Sequence, residues 1–156
     1  MKGETRLIEL FEQSQSAQLE LCDQLEKIAD SLPKAVDRQT CIHIAQALGT
    51  VIRRAQETEE STFFPVLERA DGVVINAPSI VERLRMDHIG DSFMVEEIVE
   101  VLMSYGAGVP IHGPEAAGYM LRGFFTGLRR HIAMERELIA PFLGRQTKSG
   151  RPAALN

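Results

Sequence analysis

Four long stretches with helical periodicity, separated by short turn sequences, constrain the fold of this chain more than any other feature. Within each stretch, apolar side chains recur at alternating steps of three and four residues, which places them on one face of an α-helix. The four stretches cover approximately residues 4–32, 38–69, 76–106 and 113–144. Amphipathic helices of this length bury their apolar faces by packing against one another. The sequence therefore predicts an all-α protein.

Turn and capping residues support these bounds. Pro33 follows the end of the first stretch, and Asp37 is suited to cap the start of the second. Asn76 and Pro78 predict the start of the third helix, because Asn is a capping residue and Pro suits the first turn. Pro65 lies late in the second stretch, where we expect it to kink or loosen the last turn.

The connections between the stretches are about five to eight residues long, which favours neighbouring helices that run in opposite directions. We therefore predict an antiparallel, up-down-up-down four-helix bundle in residues 1–144. The remaining residues, 145–156, are small and polar with Pro and Gly, and we expect a disordered tail there. The full length of 156 residues fits one such domain.

Composition narrows the functional classes. The net charge is −5, with 17 basic and 22 acidic residues and no basic run, so we expect neither a nucleic-acid partner nor an anionic membrane surface. No apolar stretch is long enough to span a bilayer, and the first residues lack the apolar segment of a signal peptide. Two cysteines do not make a disulfide framework, which favours a cytoplasmic location.

Polar side chains interrupt the apolar faces at positions that a bundle should bury. They are Gln15, Gln18, Glu59, His88, Asp91, His131 and Glu135. At about 1.5 Å per residue, the positions from all four helices lie at a similar height, about 15–17 Å from one end of the bundle. Buried polar groups are costly unless they are paired or bind a metal. The sequence therefore predicts one buried polar layer.

The residues alone leave two interpretations of this layer open. In the first, glutamines donate hydrogen bonds to carboxylates and fix the helix register. In the second, the layer binds a metal ion. His131 and Glu135 are four residues apart and face the same way, while His88 and Glu59 approach from neighbouring helices. Their nitrogen and oxygen donors suit Fe, Mn or Zn. Asp91 is an open candidate ligand, because a small rotation of its helix would turn it to solvent.

Several segments resemble the hemerythrin-like (HHE cation-binding) domain family. Residues 131–141, HIAMERELIAP, resemble its H-x-x-x-E…P signature, and residues 59–65, EESTFFP, resemble the E-E-x-x-L-F-P half of its second motif. Residues 85–88, RMDH, are similar to the segment that carries the third-helix histidine, and residues 25–30, LEKIAD, to the end of the first helix. The resemblance covers nearly the whole chain to Leu143.

The resemblance implies a bundle whose interior holds two non-haem iron ions, bound by several histidines and two bridging carboxylates. Family members bind O₂, sense oxygen or NO, or help to repair iron–sulfur centres. The metal ligands that carry over are His88, His131, Glu135 and Glu59. Two positions depart from the family pattern, since Gln15 and Ala55 stand where the family has histidines. One iron would thereby lose most of its nitrogen ligands.

We therefore expect a metal-binding domain that senses or binds a small molecule, with one iron ion rather than two. Another divalent metal, or none, stays open. The alternative is a metal-free bundle that serves regulation or protein interaction. No nucleophile motif or substrate pocket is evident, so an enzyme is the less expected outcome. The expected partners are the metal ion and O₂ or NO, and a homodimer stays open.

Overall fold

The computed structural model describes residues 2–69 and 76–149, which form helices with short connections and contain no strand. Helix α1 spans Lys2–Ser31 and α2 spans Arg38–Thr58. A π-helical turn, Glu59–Phe63, joins α2 to α3, which spans Phe64–Arg69. Helix α4 spans Ala77–Ala107 and α5 spans Pro114–Ser149. Because α2, the π turn and α3 follow one another directly, they act as one long helix, and the described residues form a four-helix bundle. None of these helices has the length and apolar character that crossing a membrane requires.

The starts of α2 and α4 follow from capping chemistry. The Asp37 carboxylate accepts a hydrogen bond from the Thr40 amide at 2.8 Å, which confirms Asp37 as the N-cap of α2. Asn76 precedes α4 with a left-handed φ of 61°, but its side chain makes no capping hydrogen bond. Pro78, within the first turn, is therefore the stronger start signal for α4.

Two helices end later than predicted. Helix α4 continues through Gly106, because the left-handed conformation that ends it falls on Gly108, with a φ of 75°. Helix α5 continues through Gly144 to Ser149, so the predicted boundary at residue 144 falls inside a helix. Residues 150–156, the rest of the expected disordered tail, lie outside the described residues.

Contacts between neighbouring helices run in opposite order along the chain. From α5 to α1, the hydrogen-bonded side chains are Arg136 with Gln15, Arg129 with Asp23, and Arg122 with Asp30. From α2 to α4, Arg38 bonds to the Gly106 carbonyl and Gln56 to the His88 carbonyl. Residue numbers rise in one helix as they fall in its neighbour, so both pairs are antiparallel.

The apolar core consists of two clusters, one on each side of a polar layer. The larger cluster comes from α1, α2, α4 and α5, and its fully buried members include Leu25, Leu48, Ile98 and Leu121. The smaller cluster comprises Phe11, Phe63, Phe64, Leu67, Val81 and Leu84. Six buried polar side chains lie between the clusters: Gln15, Gln18, Glu59, His88, His131 and Glu135. The polar layer predicted from the sequence is therefore present.

Candidate metal centre

Four titratable side chains meet in the polar layer. Glu59 comes from the π turn, His88 from α4, and His131 and Glu135 from α5. Each offers one nitrogen or oxygen atom, and these four atoms all lie within 4.8 Å of one another. No member of the group is more than 8% exposed. The predicted convergence of these side chains in the bundle interior is therefore confirmed.

The π turn sets the position of Glu59. The Phe64 amide bonds to the Glu59 carbonyl, five residues back, which widens the helix just before Pro65. Proline lacks an N–H and clashes with a regular preceding turn, so a wider turn accommodates it. The extra residue also rotates the next helical turn, so that Leu67 is buried, whereas Val66, which the regular period places inside, is half-buried. The helix is thus loosened upstream of Pro65, at the candidate site, rather than in its last turn.

The ring of His88 is held at both nitrogens. Its Nε2 lies 2.8 Å from Oε2 of Glu59, and its Nδ1 lies 2.8 Å from Oε1 of Glu60. The ring also stacks on Phe64, with 5.3 Å between the ring centroids. Hydrogen bonds and stacking together fix the orientation of this imidazole, with Nε2 directed into the layer.

His131 is close to two carboxylates without a well-aligned hydrogen bond. Its Nε2 lies 2.7 Å from Oε1 of Glu135 and 3.8 Å from Oε2 of Glu59. Both ring nitrogens and Oε1 of Glu135 are buried, yet the angles give none of these atoms a hydrogen-bond partner among the residues that the structure describes. Buried polar atoms without a partner are rare in proteins. A nitrogen and an oxygen that approach this closely without such alignment resemble two ligands that face one ion.

Two glutamines of α1 bind the outer oxygens of the carboxylates. Gln18 Nε2 donates to Oε1 of Glu59 at 3.2 Å, and Gln15 Nε2 donates to Oε2 of Glu135 at 3.5 Å. Arg136 Nε donates to Oε1 of Gln15 at 2.6 Å, which turns the amide nitrogen of Gln15 toward Glu135. The glutamine–carboxylate hydrogen bonds of the first interpretation are therefore present. Each carboxylate keeps its other oxygen for the histidine side of the layer.

Comparison with known families agrees with this geometry. The hemerythrin HHE cation binding domain family matches residues 6–143. The chain belongs to this family. No curated protein and no solved structure matches the chain. The match spans the four converging side chains, and the buried Glu, His, His, Glu group of this HHE domain is compatible with metal binding.

Burial and mutual contacts shift the pKa values of the group in opposite directions. Burial raises the pKa of Glu59, but contacts with His131 and His88 outweigh it and bring the pKa to about 2. Burial lowers the pKa of His131, but contacts with Glu135 and Glu59 outweigh burial and raise the pKa to about 10. Burial raises the pKa of Glu135 to about 7, although contact with His131 opposes this. In the HHE domain, positive charge on the histidines therefore balances the carboxylates, a role that a divalent cation also fills.

The donor set is compatible with metal binding. Two imidazole nitrogens and two carboxylate oxygens suit Fe, Mn or Zn. With bonds of about 2.0–2.2 Å, ligands on opposite sides of an ion lie roughly 4.4 Å apart at most. The observed 4.8 Å spread of the four atoms is close to that limit. Small side-chain adjustments would therefore bring all four atoms to one ion.

Asp91, the open candidate, lies outside the group of four. It is half-buried and helps to line a cavity of about 730 Å³ between α4 and α5. Asp87, Met94 and Met134 line the same cavity, which reaches His131. Oδ2 of Asp87 lies 3.7 Å from Nδ1 of His131. Asp91 is thus neither a member of the group nor turned fully to solvent, and it marks an opening beside His131.

Two residues of the centre were missed from the sequence. Glu60 follows Glu59, and consecutive residues of a regular helix point about 100° apart, so the period places Glu60 outside. The doubled glutamate was the available signal, and both side chains reach His88 from the π turn. Arg136 likewise follows Glu135 on the outer side of its helix and reaches the layer through Gln15.

Proposed function

We propose that this HHE domain binds a single divalent metal ion through His88, His131, Glu59 and Glu135, with ferrous iron as the expected occupant. One observation carries the proposal: Nε2 of His131 and Oε1 of Glu135 lie 2.7 Å apart and are buried, yet neither has a well-aligned hydrogen-bond partner among the described residues. An unsatisfied buried polar group costs about 1–3 kcal/mol, and an ion bound between Nε2 of His131 and Oε1 of Glu135 would remove that cost for these two atoms. The four atoms within 4.8 Å supply its ligands.

The α1 side of the layer supports one ion rather than two. There, the amide groups of Gln15 and Gln18 occupy the carboxylate oxygens that a second ion would need. Ala55, four residues before Glu59, offers no donor atom. The Arg136 guanidinium bonds to Gln15, and its positive charge opposes a second cation nearby.

We further propose that the bound ion senses or binds O₂ or NO. Iron held by two imidazoles and two carboxylates keeps coordination positions open to small molecules. The cavity between α4 and α5 reaches His131 and gives such molecules a route toward the layer. Binding or sensing rather than catalysis is proposed for this domain. A reducing cytoplasmic location is proposed as well, because Cys22 and Cys41 are free thiols in the structure.

The alternative is a metal-free bundle that serves regulation or protein interaction. It is favoured by the hydrogen bonds that the layer already makes, since His88 is bonded at both nitrogens and both carboxylates accept a glutamine amide. The unpartnered atoms of His131 and Glu135 weigh against it, because a layer built only for hydrogen bonding would satisfy them.

Metal stoichiometry separates these functions. Metal-free protein is loaded with Fe(II) under anaerobic conditions, unbound metal is removed, and metal per chain is measured by elemental analysis. We expect about one ion per chain, and none in the His88→Ala/His131→Ala variant. Close to two ions per chain, with the visible absorption of an oxo-bridged pair after exposure to O₂, would contradict the single site. No retained Fe, and no retained Mn or Zn when Mn(II) or Zn(II) is loaded in its place, would favour the metal-free bundle. A change in the electron paramagnetic resonance spectrum on adding NO to loaded protein tests the sensing role.

A further inference from the structure

Glu60 reaches from the surface of the bundle to the outer nitrogen of a buried imidazole. Its side chain is 45% exposed, whereas that of His88 is 4% exposed. The distance between Oε1 of Glu60 and Nδ1 of His88 is 2.8 Å, typical of a strong hydrogen bond to an ionised acceptor. A solvent-facing carboxylate thus contacts the side of His88 that faces away from the group of four.

A histidine that binds a metal through one nitrogen carries a proton on the other. Nε2 of His88 faces Glu59 and the layer, so Nδ1 is the nitrogen that must hold the proton. A carboxylate that accepts this N–H fixes both the tautomer and the plane of the ring. Glu60 lies where that acceptor is needed.

The π turn makes this arrangement out of consecutive residues. Glu59 and Glu60 contact opposite nitrogens of the same ring, although neighbours in a regular α-helix diverge by about 100°. Within the part of the chain that the structure describes, the second histidine has no equivalent partner. Nδ1 of His131 makes no hydrogen bond, and the carboxylate beside it, that of Asp87, is 3.7 Å away. The support given by Glu60 is therefore specific to His88.

We propose that Glu60 is a positioning residue, which holds His88 with Nε2 directed at the metal and Nδ1 protonated. The inference rests on the proposed function, because it assigns Glu60 a role in metal binding through His88. Outer-shell carboxylates of this kind typically contribute about 10–100-fold in metal affinity.

Three variants test the proposal. Glu60→Ala removes the acceptor, and Glu60→Gln keeps an oxygen that can accept the same proton. Glu57→Ala removes an equal charge from an exposed residue one turn earlier and is the matched control. Metal affinity is measured by competition with a chelating dye, after helical circular dichroism has shown that each variant is folded. We expect affinity to fall about 10–100-fold in Glu60→Ala, to be largely restored in Glu60→Gln, and to be unchanged in Glu57→Ala.

A spectroscopic readout separates positioning from a loss of structure. In zinc-loaded protein with ¹⁵N-labelled histidine, we expect the parent to show His88 bound through Nε2 with a protected proton on Nδ1. In Glu60→Ala that proton should exchange faster with water, while the His131 signals stay in place. Equal affinity and an unchanged Nδ1 signal in Glu60→Ala would overturn the inference and leave the metal site standing. A parent that binds no metal would overturn the proposed function and the inference with it.

Discussion

The larger apolar cluster and the polar layer are built from the same long helices by the same periodicity, yet they differ in what completes them. In the apolar cluster, Leu25 and Leu48 are fully buried against other side chains, and nothing further is needed. In the layer, His131 and Glu135 are also buried but keep atoms without a hydrogen-bond partner among the described residues. Folding alone completes the apolar cluster, whereas in the proposed function a bound ion completes the layer.

The contrast extends to the titratable groups of the two regions. In the apolar cluster, burial raises the pKa of the Cys22 thiol to about 11, which keeps it neutral. In the layer, contacts among neighbours outweigh burial and leave Glu59 and His131 with charged forms favoured. The thiol of the apolar cluster stays neutral because burial disfavours its ionised form. The closely spaced charges of the layer are compatible with binding a cation. Stability and binding should therefore respond to different substitutions.

The largest expected effect is a loss of stability in the apolar cluster. Leu48→Ala removes a fully buried side chain and should lower the free energy of unfolding by about 2–5 kcal/mol. Denaturant unfolding of the metal-free protein measures this. The metal affinity of the variant, determined where it is still folded, should match that of the parent. A large loss of affinity would show that the two regions are coupled and would break the comparison.

The opposite pattern is expected in the layer. His131→Ala removes a proposed ligand. Changes in the outer shell typically weaken metal binding by about 10–100-fold, so the loss of a ligand should weaken it by more than about 100-fold. The parent should gain about 2.7 kcal/mol of stability at a free Fe(II) concentration of 100 times its Kd, and this variant should gain little. Thermal unfolding with and without Fe(II) measures the difference.

A matched histidine elsewhere controls for the chemistry of the substitution. His43→Ala removes an exposed histidine of α2 and should leave both metal affinity and metal-dependent stability unchanged. If His43→Ala and His131→Ala lose metal affinity to the same extent, the metal binds nonspecifically to histidines. In that case the layer is not the site.

The regular parts of both regions could be predicted from the sequence because one period governs them. Counting in steps of three and four residues places Gln15 and Gln18 on the inner face of α1 with Cys22 and Leu25, and all four are buried. The same count cannot foresee that a π turn inserts an extra residue ahead of Pro65. That insertion moves Leu67 into the smaller apolar cluster.

The finer details of the layer depend on atoms that periodicity does not describe. The period gives a direction for each side chain but no hydrogen-bond partner. The roles of Glu60 and Arg136 were therefore not predictable. Each lies beside an inward residue, and Glu60 makes its contact from the π turn, whereas Arg136 reaches Gln15 from the outer side of α5. Asp91 lies at the limit of what periodicity resolves, because its half-buried position is intermediate between the two outcomes considered for it.

The smallest expected energetic effect concerns the α1 side of the layer, where Gln15→His combined with Ala55→His should raise metal stoichiometry from about one to about two per chain. Position 55 is buried and lies four residues before Glu59, so an imidazole there shares a face with that carboxylate. Replacing Gln15 frees Oε2 of Glu135 from its amide partner and supplies a second nitrogen donor.

The added bulk at position 55 should cost about 1–3 kcal/mol of stability before metal is added, because the site is closely packed. Fe(II) should then raise the melting temperature of the double variant more than that of the parent, since ions bound only to the folded state stabilise it. Each single variant is the control and should retain about one ion, because neither supplies both missing nitrogens. A double variant that folds but still retains one ion would show that the glutamines do not occupy the place of a second metal. The α1 side of the layer would then be purely a hydrogen-bonding surface, and only the histidine side would be suited to binding a cation.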